Sequence, residues 1–294
     1  MNCAACWATD DWNTTNMSEM SLTELIDEAI ASGTIALPVF PRAVTDLRHA
    51  LKDEHRTIDD VAKQIAMDAS LASQVLRVAN SSFYGGLSKV NTVKEAIVRL
   101  GIARIVQIAT LVMQKGLFTS KDPAANQYMI KLWQHSVAVA LGSEWLAKRL
   151  AFGSLAEESF MAGLFHDIGE LLLLKCLEEL RVNRPDINLP KDLIREIIVR
   201  QHEAKGAWLL KSWNLPDGYC AVAGSHHQLV TEETSTVELI VRVADMVSYK
   251  LGIAPTAQPE LVVSSSEEAS RLGLSEITLA ELEIALEDAA ALSG

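Results

Sequence analysis

Three observations predict an all-α protein. Apolar residues recur at three- and four-residue steps through most of the chain, no segment alternates apolar and polar residues as a half-buried strand does, and Ser/Thr-x-x-acid signatures stand repeatedly ahead of the apolar runs. The 294 residues are 49% hydrophobic and 22% charged, enough for one large domain or two small ones with a substantial core.

Taken in order, residues 1–20 form a polar leader. Its CAAC stretch gives Cys3 and Cys6 a metal or redox spacing, but with no matching second pair it reads as a tail. Ser21 and Glu24 make a capping box whose helix should run to Gly33. Pro38 and Pro41 forbid helix through ALPVFPRAV, and Pro41 suits a first helical position. Thr57 with Asp60, Thr92 with Glu95 and Ser154 with Glu157 each mark a new helix start. Between them, 61–80 and 93–113 keep the helical period, while Asn80, Ser81, Ser82 and Tyr84 ahead of glycines read as a capping turn.

KDPAAN at 121–126 divides the body into two lobes, and 126–150 then carries His135 on a helix of about seven turns. Gly206 allows a close helix contact, and Trp208 and Trp213 read as packing anchors. IAPTAQPE opens a tail that ends in an acidic amphipathic helix, a surface available for docking or for packing on its own domain. The expected organisation is a leader at 1–20, a two-lobed body at 21–252 (21–122 and 123–252) and a C-terminal extension at 253–294. No repeat, phosphate-binding loop or dinucleotide glycine fingerprint is present.

A net charge of −12 and a pI near 5.1 oppose non-specific binding to nucleic acid or anionic membrane, since backbone phosphates are held by clustered Lys and Arg. No run approaches the roughly 18 apolar residues of a membrane span, and no signal pattern opens the chain. Cys176 and Cys220 stand far apart and far from the leader pair, so no disulfide framework is legible and a reduced cytoplasm is expected.

Five of the seven histidines fall in the second lobe: His135, His166, His202, His226 and His227. His49 and His55 sit in a charged stretch of the first and read as solvated. Imidazole and carboxylate are the usual ligands of Zn, Mn, Fe and Ni, and a site built from several helices needs widely spaced residues that converge. Asp245 lies inside LIVRVADMV, where an unpaired carboxylate would cost several kcal/mol, so it needs a cation, an imidazole or backbone N–H groups. His166 and Asp167 diverge by about 100° if both are helical, and Gly169 permits a bend that would bring them to one ion. The set leaves two readings open. Either His135, His166, Asp167 and Asp245 form a metal site, or Asp167 is a cap, Asp245 pairs with Arg242 and His135 is a hydrogen-bonded core residue. His202, His226 and His227 form either a second metal position or, when charged, an anion site.

The order His135, His166–Asp167, Asp245 resembles the HD superfamily of metal-dependent phosphohydrolases. LPVFPRAVTDL, MDASLASQVLRVANSSFYG, KVNTVKEAIVRLG, FMAGLFHDIGELLL and HEAKGAWLLKSWNLPDGYCAVAGSHH, in that order over about 30–250, resemble more specifically the HDOD domain of bacterial signalling proteins. The resemblance implies an all-α, two-lobed fold with an HD-like five-helix core in the second lobe. It further implies a stand-alone signal-transduction protein that acts as a regulatory binding module, with a metal-dependent phosphohydrolase of a nucleotide or cyclic dinucleotide as the alternative. By analogy with the related HD-GYP phosphodiesterases, Asp167 would bridge two ions, His135, His166 and Asp245 completing one site and His202, His226 and His227 the other. One or two divalent Fe, Mn, Zn or Ni ions are thus implied.

Three departures weigh against catalysis. SHHQLVTEE replaces the GYP segment, Glu170 stands where a lysine would meet phosphate, and Lys131 stands where trinuclear members carry an acidic ligand. Glu170 and Lys131 are accordingly expected beside the centre rather than in it. The implied partners are signalling proteins, a small nucleotide-like ligand or a second copy of the chain, with neither membrane nor nucleic acid.

Overall fold

The computed structural model describes residues 21–35, 37–40, 57–81, 84, 88–185 and 187–292. These are all-helical, with no strand among them. The expectations placed on Cys3, Cys6, Pro41, His49, His55 and Ser82 lie outside the described residues.

In chain order, α1 (Leu22–Ala31) starts on the Ser21–Glu24 capping box and stops at Ser32, ahead of Gly33 with its φ of +67°. α2 (Ile58–Ala66) has the reciprocal box of Thr57 and Asp60, α3 (Ala69–Ala79) is capped by Asp68, and α4 (Val93–Leu100) by Thr92. α5 (Ile102–Lys115) follows after Gly101, whose φ of +83° lets the two helices meet at a sharp angle. Between α3 and α4, Asn80 donates to Leu76 O and Val90 O and accepts from Val90 N, so it ties the turn together as the sequence predicts. Val61, Ile65, Val75, Ile97, Ile105 and their neighbours make one apolar cluster.

A larger core belongs to the rest. Asp122 accepts from Ala124 N and Ala125 N and starts α6 (Pro123–Arg149), with Pro123 at its first position. α7 (Ala156–Phe165), α8 (Ile168–Asn183), α9 (Lys191–Ser212), α10 (Asp217–Ser225) and α11 (Thr236–Lys250) pack around α6 and one another. α12 (Glu267–Arg271) and α13 (Glu276–Leu292) complete the chain, and α13 lies along α6 and α11 with Leu282 and Leu286 fully buried. No helix among the described residues is long and apolar enough to cross a membrane.

Two local expectations are corrected. Ser154 does not cap α7; it sits inside a 3-10 turn, Gly153–Leu155, which feeds the helix directly. α1 packs on α8 rather than on the first apolar cluster, because its buried Ile26 and Ala29 belong to the larger core. Trp213 is the anchor expected of it, donating Nε1–H to Pro38 O at 3.0 Å and packing on Phe40 and Phe165, whereas Trp208 is 41% exposed.

Candidate metal centre

His135 lies midway along α6, which packs against α7, α11 and α13, and is itself fully buried. His166 keeps helical angles (φ −54°, ψ −42°) but Asp167 does not (φ −100°, ψ 15°), so the chain turns between α7 and α8 at this pair. The bend expected at Gly169 is therefore two residues earlier. Gly169 serves the approach of α9 instead: a Cβ there would collide with His202 O and stand 2.7 Å from Gly206 N. This crossing brings His202 on α9 to Asp167. His226 and His227 follow the last turn of α10, and Asp245 projects from α11.

All seven side chains meet. His135 Nε2 lies 3.0 Å from His166 Nε2, 3.1 Å from Asp167 Oδ2 and 3.2 Å from Asp245 Oδ1. His166 Nε2 is 3.3 Å from Asp167 Oδ2. The other oxygen, Asp167 Oδ1, faces His226 Nε2 at 3.1 Å and His202 Nε2 at 3.7 Å. Two groups, His135–His166–Asp245 and Asp167–His202–His226–His227, each hold their ligand atoms within 4.8 Å of one another. His227 alone among them is exposed.

The outer ring nitrogens fix what the inner ones offer. Nδ1 of His166 is 2.7 Å from Gly163 O, that of His202 is 2.8 Å from Ile198 O, and that of His226 is 3.2 Å from Val222 O. A carbonyl only accepts, so each Nδ1 carries a proton and each ring, when neutral, turns a bare Nε2 inward. Ser248 Oγ lies 2.8 Å from His135 Nδ1 and orients that ring, but a hydroxyl both donates and accepts, so this contact does not fix its tautomer. Bare lone pairs 3 Å apart repel unless a proton or a cation lies between them. Asp245 Oδ1, buried and close to two imidazoles, receives no hydrogen bond of acceptable geometry. A convergent, buried N/O donor set with an unsatisfied carboxylate oxygen fits a divalent transition metal.

In metal-free protein a proton held among these inner nitrogens and carboxylates stands in for the cation. Burial alone would raise Asp167, but the charge of His166 and hydrogen bonds from His135, His166 and His226 hold it well below the usual carboxylate range. Asp245 is lowered in the same sense, the adjacent His135 and His166 imidazoles overriding burial. Burial would lower His166, yet the Asp167 and Asp245 carboxylates lift it well above the ordinary value. His226 is lowered by burial. His227 is lowered by desolvation of its ring and by the neighbouring His226.

Glu170 is 7% exposed and takes a hydrogen bond from Tyr128 OH at 2.9 Å; burial and the Asp167 charge push its pKa up to about 7. Lys131 is exposed, one turn before His135. Arg242 does not pair with Asp245 but with Glu238, at 2.5 Å. Ser248, which orients His135, carried a usable sequence signal, since it lies three residues after Asp245 on the same helical face. The carbonyl partners carried none, because every residue has a carbonyl.

The HDOD domain family matches residues 37–229. Over 219 residues, 73% of the chain, the sequence is 24% identical to an uncharacterized protein of Treponema pallidum (strain Nichols), and it spans 42% of that protein's length. The fold is similar to that of an HDOD domain protein of unknown function from Geobacter sulfurreducens, at a TM-score of 0.72 and 22% identity, covering 92% of this chain and 96% of that one. It is equally similar, at 0.72 and 20% identity, to a candidate metal-dependent phosphohydrolase from Shewanella amazonensis SB2B, covering 92% and 99%.

Proposed function

The chain belongs to the HDOD domain family, and from that membership we propose that it is a signal-transduction module which binds partners and holds one or two divalent transition-metal ions in its second lobe. His135, His166 and Asp245 would hold one ion and His202, His226 and His227 the other, with Asp167 in reach of both. The observation that carries this reading is the division of Asp167, with Oδ2 turned to the first group and Oδ1 to the second. A bound ion supplies Lewis acidity and lowers the pKa of a coordinated water. The chain's own residues exclude solvent, with the first-group ligands 0–4% exposed, and orient each Nε2 through its Nδ1 bond. Such closure suits a structural or regulatory ion, since a working hydrolase keeps an open position. Glu170 adds a second carboxyl beside Asp167, which opposes an incoming phosphate.

Partners of matching kind are signalling proteins or a small nucleotide-like ligand. A phosphohydrolase is the second reading, favoured by the exposed His227, which leaves one edge of the second group reachable. Metal content measured by mass spectrometry, on protein purified without chelator or metal-affinity tag, tests the first. One or two equivalents are expected, lost in a His166→Ala/Asp167→Ala variant, with no turnover of phosphodiesters in added Mn, Fe or Ni. Turnover that this variant abolishes would replace the binding role with the hydrolase. A folded protein that takes up none of these metals would remove the centre.

A further inference from the structure

Arg242 is 3% exposed and lies beneath the segment that carries two of the histidines. α10 ends at Ser225, and the last carbonyl oxygens of a helix lack partners within it. Arg242 Nη2 donates to Ser225 O at 2.5 Å and Nη1 to Gln228 O at 2.5 Å, so one planar fork grips the backbone just before His226 and just after His227. Its charge also complements the negative end of α10. Glu238 Oε1 accepts from Arg242 Nη2 at 2.5 Å and from Ser225 Oγ at 2.8 Å, which fixes the rotation of the fork. Glu268, from α12 of the C-terminal segment, stands 3.5 Å from Nη1.

His226 needs this support more than the other ligands do. Its Nδ1 contacts, 3.2 Å to Val222 O and 3.3 Å to Ala223 O, are longer than the 2.7 Å and 2.8 Å bonds of His166 and His202. Its ring therefore depends on the placement of its own backbone. Buried ion pairs contribute little net stability, because desolvation offsets attraction, whereas a rigid guanidinium fork fixes direction.

We infer that Arg242 is a positioning residue for His226 and His227, and hence for the Asp167–His202–His226–His227 half of the centre, while the His135–His166–Asp245 half is independent of it. The effect on metal rests on the proposed metal centre; the effect on the two rings does not. Asp245 shares α11 with Arg242 but is placed by that helix's own fully buried Val241, Val243, Ala244 and Val247.

The test uses the full chain in three forms: wild type, Arg242→Met/Glu238→Gln, which also removes the carboxylate that would be left unpaired, and Arg242→Lys, which keeps charge without the fork. Imidazole 15N spectra of metal-free protein are expected to shift for His226 and His227 and to stay fixed for His135 and His166. Titration with Co(II) is expected to keep the first equivalent and weaken the second at least tenfold in the double variant, with Arg242→Lys between. Ring signals and both affinities matching wild type in a folded variant would overturn the inference, and so would equal disturbance of all four rings. A double variant that fails to fold leaves the decision to Arg242→Lys, whose His226 and His227 signals must move. If wild type takes up no Co(II), the metal centre fails, and the ring signals alone decide the role of Arg242.

Discussion

Glu170 shows how one carboxyl can make this molecule respond to pH. Burial and the Asp167 charge raise its pKa from the ordinary 4.5 to about 7, so the folded protein holds the proton more tightly than the unfolded chain. Stability from this group is therefore greatest below the unfolded value and falls as pH rises from about 4.5 to about 7. In metal-free protein Glu170→Gln, which can still accept from Tyr128, should remove that decline and be more stable than wild type at pH 8 by up to about 3 kcal/mol. Denaturation midpoints at pH 5 and pH 8 check it; an unchanged pH dependence would leave Glu170 ionised in the fold. Residue types alone made Asp245 conspicuous, since an aspartate in so apolar a run requires a partner. They did not identify that partner: Arg242, three residues away, was as reasonable as an imidazole 110 residues away until α6 and α11 were seen to pack together.

Helix ends were the most legible elements, because a cap is a local hydrogen bond made by residues three apart. Ser21, Thr57 and Thr92 cap as their spacing requires, whereas Ser154 falls inside a 3-10 turn. Thr57→Ala should cost about 1 kcal/mol in urea denaturation. Helix contacts were less legible, and Gly169 illustrates why. Its role is set by α9, which passes so close that a Cβ would strike His202 O. Gly169→Ala should destabilise by about 3 kcal/mol and carry His202 away from Asp167, weakening the second metal equivalent. Gly153→Ala, where a Cβ meets nothing within 4 Å, should stay within about 0.5 kcal/mol and serves as the control.

At the scale of the whole molecule, the two apolar clusters should respond separately to metal. An ion at 100 times its Kd stabilises the fold that binds it by about 2.7 kcal/mol. Hydrogen exchange should therefore show added protection in α6 to α11 and little change in α2 to α4; equal protection throughout would mean that the clusters unfold as one. The C-terminal helix belongs to the larger core, since Leu282 and Leu286 of α13 close over Gly142 of α6. Leu286→Ala should cost about 2–5 kcal/mol. Gly142→Ala, whose Cβ would press on the Leu286 side chain, should be less harmful in the Leu286→Ala background than alone, a coupling that a double-mutant cycle measures.

The sequence by itself determined the all-helical class and the principal helix starts, because periodicity and caps are properties of short stretches; the set of seven residues came from the resemblance to a known family, since residue chemistry alone left their convergence open. Tertiary structure alone decided that Asp167 turns one oxygen to each histidine group, that the turn falls at His166–Asp167 rather than Gly169, that α1 joins the larger core, and that Arg242 grips the His226–His227 backbone. Those features depend on the distance and angle between helices far apart in the chain. Such geometry is fixed by close packing across the whole core and leaves no mark in any single segment.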